Sequence, residues 1–309
     1  MDTAERWMES CDDRTSRRPS NTDYHPQMLK RQTSGSVICT ACGVLVGVQD
    51  ATCYNCGRRN PGMWGFGPAL RRLGGDLGFV PFVMGASVVL YALTLVFTGG
   101  MRQGGGGLLS MLTPNLQSLF LFGASGAQPV FGLGRWWTLL SATWLHAGAL
   151  HIFFNMYWVR QLAPATAELF GPGRMVIIYT AGGVAGFALS SFAGAYIPGF
   201  LVLRGSQFTV GASASIFGLL GALVYYGRRT GSRHVSRQAT SFALFMGVFG
   251  LIMPGIDNYA HAGGFGGGYL LAVLLDPLKP ERVDHLAIAV VCLAASMLAI
   301  VVSVFSAIG

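Results

Sequence analysis

The chain has 309 residues, of which 52% are hydrophobic and 11% are charged. A soluble domain carries about 25% charged residues, so this composition excludes an ordinary soluble protein and indicates a membrane protein. The net charge of +8 raises the alternative of nucleic-acid binding. We exclude nucleic acid as a partner, because the arginines cluster in loops between apolar runs, where the positive-inside rule accounts for them.

The first 36 residues mix acidic, basic and hydroxyl side chains without apolar periodicity. This composition is typical of disordered segments. Asp2 and Glu5 stand where a signal peptide would have its basic region, and no apolar core follows them. We therefore expect residues 1–36 to form a disordered tail and the N-terminus to stay in the cytoplasm.

Residues 37–60 contain one short unit twice, a CxxCG motif at Cys39 and Cys42 and again at Cys53 and Cys56. Four thiolates in two such pairs form a closed tetrahedral shell for zinc, and the glycine after each pair lets the backbone turn tightly. The alternative is two disulfides, which a reducing cytoplasm disfavours. Because a closed site offers no open position for chemistry, we predict a structural zinc ribbon that could dock a cytoplasmic partner.

Two further cysteines, Cys11 and Cys292, lie outside this repeat and are interpreted as unpaired thiols. Residues 61–78 are predicted to be a linker that joins the ribbon to the membrane.

Seven apolar runs follow, each near the roughly 20 residues that span a bilayer. They predict helices at residues 79–98, 144–165, 173–195, 211–227, 238–254, 258–276 and 286–308. The densest basic loop, with Arg228, Arg229, Arg233 and Arg237, is predicted between the fourth and fifth helices. Counting from a cytoplasmic N-terminus also places this loop in the cytoplasm, in agreement with the positive-inside rule. We therefore expect a multi-pass protein with an external C-terminus, in the plasma (inner) membrane.

The long loop between the first two helices, residues 99–143, is too apolar for a plain solvent loop and too broken by Pro114 and glycines to span. We expect it to lie partly in the membrane interface, with Trp136 and Trp137 at the headgroup level. His146 lies off the face of the other polar residues in the second predicted helix and is also interpreted as interfacial.

Polar side chains inside apolar helices are candidates for chemistry. Ser213 lies in a small-residue run at the start of the fourth helix, and His151 and Asn155 share one face of the second helix because they are four residues apart. Ionisable groups within spans are costly and often mark function. Small residues also let membrane helices pack closely, and polar side chains can simply bond helices together. Both interpretations stay open from these residues alone.

The sixth predicted helix connects these candidates. It presents His261 with Gly264 and Gly268 on one face, and the fourth helix offers a matching small stripe at Ala214, Gly218 and Gly221. If the two stripes meet, Ser213 and His261 come within hydrogen-bonding reach, as a serine nucleophile and its base require. Because Asp257 lies in the loop before this helix and no acidic residue is embedded, we predict a dyad rather than a triad.

Together, these motifs resemble those of the rhomboid intramembrane serine proteases over about residues 79–276. The segment Arg135-Trp136-Trp137 resembles the WR region of that family, and His151 with Asn155 resembles its HxxxN motif. Gly211-Ala212-Ser213 resembles the nucleophile motif, and Ala260-His261 with Gly264 and Gly268 resembles AHxxGxxxG.

The resemblance implies that Ser213 is the nucleophile, that His261 is the general base and then the acid, and that His151 and Asn155 donate to the oxyanion. It implies no cofactor for catalysis. It also implies that Phe217 packs against the histidine, that residues 249–258 cap the site, and that residues 238–252 form a lateral gate. Ala214 departs from the family pattern, which has glycine after the nucleophile.

The predicted fold is an all-α polytopic membrane protein with a rhomboid-like six-helix core at residues 79–276. A seventh transmembrane helix within residues 277–309 gives a 6+1 arrangement, and the zinc ribbon precedes the core. The predicted function is hydrolysis of transmembrane-protein substrates in the lipid bilayer, near the outer face. The alternative is a non-catalytic rhomboid-like protein that binds client transmembrane helices. A solute transporter is disfavoured, because no further charged residues line the helices.

Overall fold

The computed structural model describes residues 31–71, 73–98, 112–199, 203–253 and 255–308. Cys11, most of the predicted tail, the first part of the long loop and Pro254 lie outside the described residues. Within those ranges the chain forms a small cysteine-rich unit followed by seven long helices.

The cysteine-rich unit is built on a two-stranded antiparallel sheet, β1 (Ser36–Ile38) and β2 (Leu45–Gly47). Its small core contains the buried side chains Val37, Cys39, Val46, Val48 and Cys53. The unit extends past the predicted boundaries of 37–60, because the backbone N–H of Gln32 donates to the carbonyl of Gly65 at 2.9 Å. The first part of the predicted linker therefore packs on the ribbon, through a short 3₁₀ turn (Met63–Gly65) and a short helix (Gly67–Arg71).

All seven predicted helices are present, and we number them in chain order. They are α1 (Phe79–Val96), α2 (Ala149–Phe170), α3 (Pro172–Tyr196), α4 (Ser213–Thr230), α5 (Arg233–Ile252), α6 (Asn258–Leu275) and α7 (Val283–Ile308). Among the described helices, α1, α3, α5 and α7 are long and apolar enough, by length and composition, to cross a membrane. The other three carry the polar candidate residues.

Glycines set two of the helix starts differently from the prediction. The second helix begins at Ala149 and not at 144, because the backbone of Leu145 is extended and Gly148 is extended as well, at φ 172°. The fourth begins at Ser213 and not at 211, because Gly211 has a φ of 129° that an L-residue rarely adopts. These backbone angles leave no signal in the apolar pattern.

The predicted basic loop is also shorter than expected. Only Gly231 and Ser232 separate α4 from α5, and Gly231 has a φ of 74°, as a glycine that ends a helix commonly does. Arg228 and Arg229 lie in the last turn of α4, whereas Arg233 and Arg237 lie in the first turns of α5. The four arginines are therefore clustered, but on helix ends.

The helix α4 lies at the centre of the bundle, where it packs against α2, α3, α5 and α6. Most of its residues are buried. By contrast, α5 lies at the edge, and Ala239 and Gly250 are its buried residues. The seventh helix packs against α3 and against the segment between α1 and α2.

The described part of that long segment is folded into short helical turns at Leu116–Phe122, Gln128–Gly132 and Thr138–Ser141. It rests on α7 through Ser303. Arg135, which is buried, donates from Nη2 to the carbonyl of Ser303 at 2.8 Å, and Trp137 donates from Nε1 to the hydroxyl of Ser303 at 3.0 Å. Trp136 is exposed, whereas Trp137 is half-buried, and the position of both at the headgroup level stays a prediction.

Candidate active site and metal centre

The helices α4 and α6 cross with their backbones almost in contact. A methyl group built on Gly264 would lie 2.9 Å from the carbonyl carbon of Ala214 and closer still to its oxygen. One built on Gly268 would lie 2.5 Å from the Cα of Gly218. Ordinary carbon contacts are about 3.5–4.0 Å, so neither position tolerates a side chain without separating the helices. This confirms the prediction that the two small-residue stripes meet.

The helix α3 also takes part in this crossing, a contact that the sequence did not predict. Methyl groups built on α3 at Gly182 and Gly186 would lie 3.0 Å from the Cα of Gly218 and 2.8 Å from the Cβ of Ala214. The methyl of Ala214 therefore packs against α3, at a position where glycine leaves room for it. The sequence signal for this contact is the spacing of Gly182 and Gly186, which are four residues apart within an apolar run.

His261 packs against the face of α4 that carries Ser213 and Phe217. Ser213 is the first residue of α4 and is half-buried, and His261 lies in the first turn of α6 and is 6% exposed. The ring of Phe217, one turn after Ser213, stacks on the imidazole with centroids 4.2 Å apart and planes 13° apart. Because residues four apart on a helix share a face, Ser213 belongs to the face of α4 on which the imidazole packs.

The structure does not close a hydrogen bond between these two side chains. Within the described residues, Nδ1 of His261 is buried without a hydrogen-bond partner, and none of the hydrogen bonds joins its ring to Ser213. In the absence of substrate, catalytic hydrogen bonds are often long or poorly aligned.

His151 and Asn155 converge on the turn before Ser213. A methyl group built on Gly211 would lie 2.7 Å from Nε2 of His151 and 3.8 Å from Nδ2 of Asn155. The backbone N–H of Ala147 donates to Nδ1 of His151 at 3.3 Å, so a neutral imidazole carries its proton on Nε2. The amide of Asn155 uses one N–H on the carbonyl of His151, at 2.8 Å, and keeps a second.

The expectation that His146 is interfacial is wrong. Its side chain is fully buried, and its ring lies edge-on to that of His151 with centroids 5.3 Å apart. It precedes the helix that was predicted to contain it, and the extended backbone at Leu145 turns it inward. His146 therefore belongs to the packing around His151.

Asp257 fixes the start of the helix that carries His261. Its carboxylate accepts from the backbone N–H of Ala260 at 2.9 Å and from the hydroxyl of Ser190 on α3 at 2.6 Å. Each oxygen therefore has a hydrogen-bond donor other than the imidazole. Asp257 acts as a helix cap tied to α3, a role that the sequence did not predict.

The outer face of the fifth helix is apolar and exposed. Large apolar side chains along it are exposed, among them Leu244, Phe245, Val248 and Ile252. Its end is held to the start of α6 by the amide of Asn258, which donates to the carbonyl of Gly250 at 2.9 Å. Met253, in the segment predicted to cap the site, is 46% exposed.

The four ribbon cysteines form a cluster that could bind a metal ion. All four Sγ atoms lie within 4.8 Å of one another, with Cys39 and Cys56 at 3.8 Å and Cys42 and Cys53 at 3.6 Å. These distances exceed the 2.03–2.05 Å of a disulfide, so the pairs are not bonded. Metal–sulfur distances of about 2.3 Å in a tetrahedron require sulfur atoms about 3.8 Å apart, so the cluster fits a tetrahedral ion.

The electrostatics of the cluster are uneven. The pKa of Cys42 falls to about 6, because the backbone N–H of Val44 and the side chain of Asn55 bond to its sulfur. Burial raises the pKa of Cys56 to about 12. Metal binding requires thiolates, so the lowered pKa of Cys42 favours it as a ligand, whereas the raised pKa of Cys56 opposes its deprotonation in the metal-free cluster.

Comparison with known proteins places the bundle in a family. Residues 133–277 match a family model described as "Rhomboid domain". YdcA of Bacillus subtilis, which carries the name of a rhomboid protease, is 31% identical over 48% of this chain and 72% of its own length. The rhomboid protease GluP of the same organism is 32% identical over 52% of this chain and 30% of its own length.

A plant relative shows the same pattern. RHOMBOID-like protein 4 of Arabidopsis thaliana is 32% identical over 53% of this chain and 40% of its own length. This chain thus spans less than half of GluP and of that plant protein. In each case about half of this chain is matched.

Proposed function

The chain belongs to the rhomboid family, and on that premise we propose that it is an intramembrane serine protease acting through Ser213 and His261. The observation that carries the proposal is the stacking of His261 on Phe217, one turn from Ser213, where α4 and α6 cross at glycines. The names of GluP and YdcA as proteases support the activity.

In the proposed mechanism the hydroxyl of Ser213 attacks the scissile carbonyl carbon, while His261 takes its proton. The acyl-enzyme forms as the peptide C–N bond breaks, and His261 returns the proton to the leaving amine. Water then hydrolyses the ester, with His261 again as the base, and the hydroxyl of Ser213 is restored.

The developing oxyanion would be stabilised beside Gly211, where Nε2 of His151 and Nδ2 of Asn155 converge. The backbone N–H of Ser213 is a third donor, because the first turn of a helix leaves its N–H groups without helical partners. Removal of one such donor costs about 10²–10³-fold in kcat.

Substrates of this activity would be transmembrane segments of other membrane proteins. We propose that they enter beside α5, whose exposed apolar face and small number of buried residues suit a movable wall. The orientation proposed from the charges has the N-terminus in the cytoplasm, the C-terminus outside and the site toward the outer face, in the plasma (inner) membrane.

The test is cleavage of a model type I transmembrane substrate in proteoliposomes. Ser213→Ala and His261→Ala are each expected to abolish cleavage. Ser215→Ala removes a buried hydroxyl two residues away on the same helix and should keep most of the activity. Equal cleavage by wild type and both dyad variants would contradict the mechanism. Capture of uncleaved substrate by the wild type would support the non-catalytic alternative.

For the ribbon, we propose that Cys39, Cys42, Cys53 and Cys56 hold one structural zinc ion, since four sulfur ligands at tetrahedral spacing favour it. Metal analysis of the purified protein should find about one zinc per chain and a loss in Cys39→Ser. Persistence of zinc in that variant would argue against a four-cysteine site.

A further inference from the structure

We propose that the zinc ribbon is a docked part of the membrane bundle. Its docking residue is Arg58, and its partner is the loop 276–282 between α6 and α7 of the same chain. The folded state of the ribbon, and therefore its metal, then determines how firmly this loop is held. The inference does not depend on the proposed protease activity, although it uses the metal proposed for the ribbon.

The position of Arg58 is set by the second cysteine pair. The backbone N–H of Cys53 donates to the carbonyl of Arg58 at 2.8 Å, and the N–H of Gly57 donates to the carbonyl of Cys53 at 2.9 Å. These bonds close the turn that presents Cys53 and Cys56. Arg58 therefore has a fixed direction only while this turn keeps its shape.

The side chain of Arg58 reaches the bundle. Nη1 donates to the carbonyl of Glu281 at 2.8 Å, across 223 positions of sequence. Arg58 is 4% exposed, which is unusual for an arginine at the surface of so small a unit. A cavity of about 410 Å³ beside the contact is lined from the ribbon by Thr40 and from the bundle by Pro172 and Leu286. The ribbon and the bundle thus share a buried boundary.

The loop that Arg58 contacts is itself built into the bundle. The carboxylate of Glu281 accepts from the backbone N–H of Arg174 at 3.0 Å, at the start of α3. Arg174 donates to the carbonyls of Lys279 and Pro280, each at 2.8 Å. A methyl group on Gly171 would lie 2.7 Å from Oε1 of Glu281. The loop is therefore wrapped around the start of α3, and Arg58 covers it from the ribbon side.

The contact depends on the metal because the hydrophobic core of the ribbon is small. Its core consists of three valines and two of the cysteines, and small units of this kind commonly fold only with their metal. Removal of the metal should open the turn at Cys53, release Arg58 and leave the loop without its contact from the ribbon side. Residues 276–282 should then open more often.

The chain supplies a matched pair of variants. Arg58→Ala removes the docking side chain, and Arg59→Ala removes the same charge from the next residue, which is exposed. The experiment is hydrogen exchange by mass spectrometry on the full chain in nanodiscs, with zinc and after chelation. The readout is the peptide that covers residues 276–286, and a peptide that covers residues 213–224 is the reference.

With zinc, Arg58→Ala should speed exchange in residues 276–286 about tenfold, which is about 1.4 kcal/mol of local opening, while Arg59→Ala should match wild type. Chelation should produce a similar increase in wild type and Arg59→Ala, and little more in Arg58→Ala. The reference peptide should change less than twofold throughout.

Unchanged exchange in Arg58→Ala would overturn the proposal. So would an equal response to chelation in Arg58→Ala and wild type, which would mean that the metal acts on the loop by another route. Zinc content is measured on each variant. If Arg58→Ala alone lost its zinc, faster exchange in that variant could come from the missing metal and not from the missing side chain. In that case Arg58→Lys, which keeps the charge without the planar fork, replaces it and should show a smaller increase of the same sign. No increase in Arg58→Lys and in Arg58→Ala would overturn the proposal as well.

Discussion

Gly264 packs against α4 beside the proposed dyad, so its replacement should affect both helix packing and catalysis. In Gly264→Ala the new methyl carbon would lie 2.9 Å from the carbonyl carbon of Ala214. Because ordinary carbon contacts are about 3.5–4.0 Å, α4 and α6 must separate by about 1 Å. Overpacking of this kind costs about 1–3 kcal/mol, and the better helix propensity of alanine offsets about 1 kcal/mol of it.

The effect on activity should exceed the effect on stability. A displacement of about 1 Å between catalytic groups can cost about 10²-fold, and this substitution displaces His261 from Ser213. Gly266→Ala is the matched control on the same helix, since a methyl group built there meets nothing within 4 Å. The assay is the rate of fluorophosphonate labelling of Ser213, with thermal unfolding of both variants. Labelling of Gly264→Ala at the wild-type rate would refute the reasoning.

Three further substitutions test separate parts of the structure. Ser303→Ala removes the acceptor of Trp137 and should lower the free energy of unfolding by about 1 kcal/mol more than Ser296→Ala, whose hydroxyl bonds only within α7; equal losses in thermal unfolding would contradict the contact. Phe217→Leu removes a stacked ring pair worth about 0.5–1.5 kcal/mol and should slow fluorophosphonate labelling about threefold to tenfold, whereas an unchanged rate would argue against the stack. Burial raises the pKa of Glu281, so the stability of wild type relative to Glu281→Gln should be greatest below the ordinary carboxyl pKa and fall as pH rises through the raised pKa; a difference in unfolding temperature that stays constant from pH 4 to 7 would contradict this.

The sequence predicted the number and order of the long helices, because apolar runs of about 20 residues are a direct requirement of the bilayer. It did not predict where α2 and α4 begin. Those starts depend on the backbone of Gly148 and Gly211, and a glycine in an apolar run does not reveal which angles it adopts. The burial of His146 was missed for the same reason.

The meeting of α4 and α6 could be predicted, since matching small stripes on two helices favour close approach. The participation of α3 was missed because Gly182 and Gly186 carry no polar residue to draw attention to their face. The tie between Asp257 and Ser190 depends on that third helix, so it could not be foreseen either.

The four cysteines were found because their spacing alone defines the site. Docking of the ribbon is a different kind of property, since Arg58 and Glu281 are 223 positions apart and neither belongs to a motif. A pair of this kind becomes visible only when the fold brings both elements to one end of the bundle.

The role of Ser213 as a nucleophile activated by His261 is tested most directly by mapping the residue that a fluorophosphonate labels in the membrane-embedded protein. Mass spectrometry should place the adduct on Ser213 in wild type, with labelling lost in His261→Ala and retained in Ser215→Ala. An adduct on another serine, or labelling of Ser213 that is undiminished in His261→Ala, would contradict the proposed dyad.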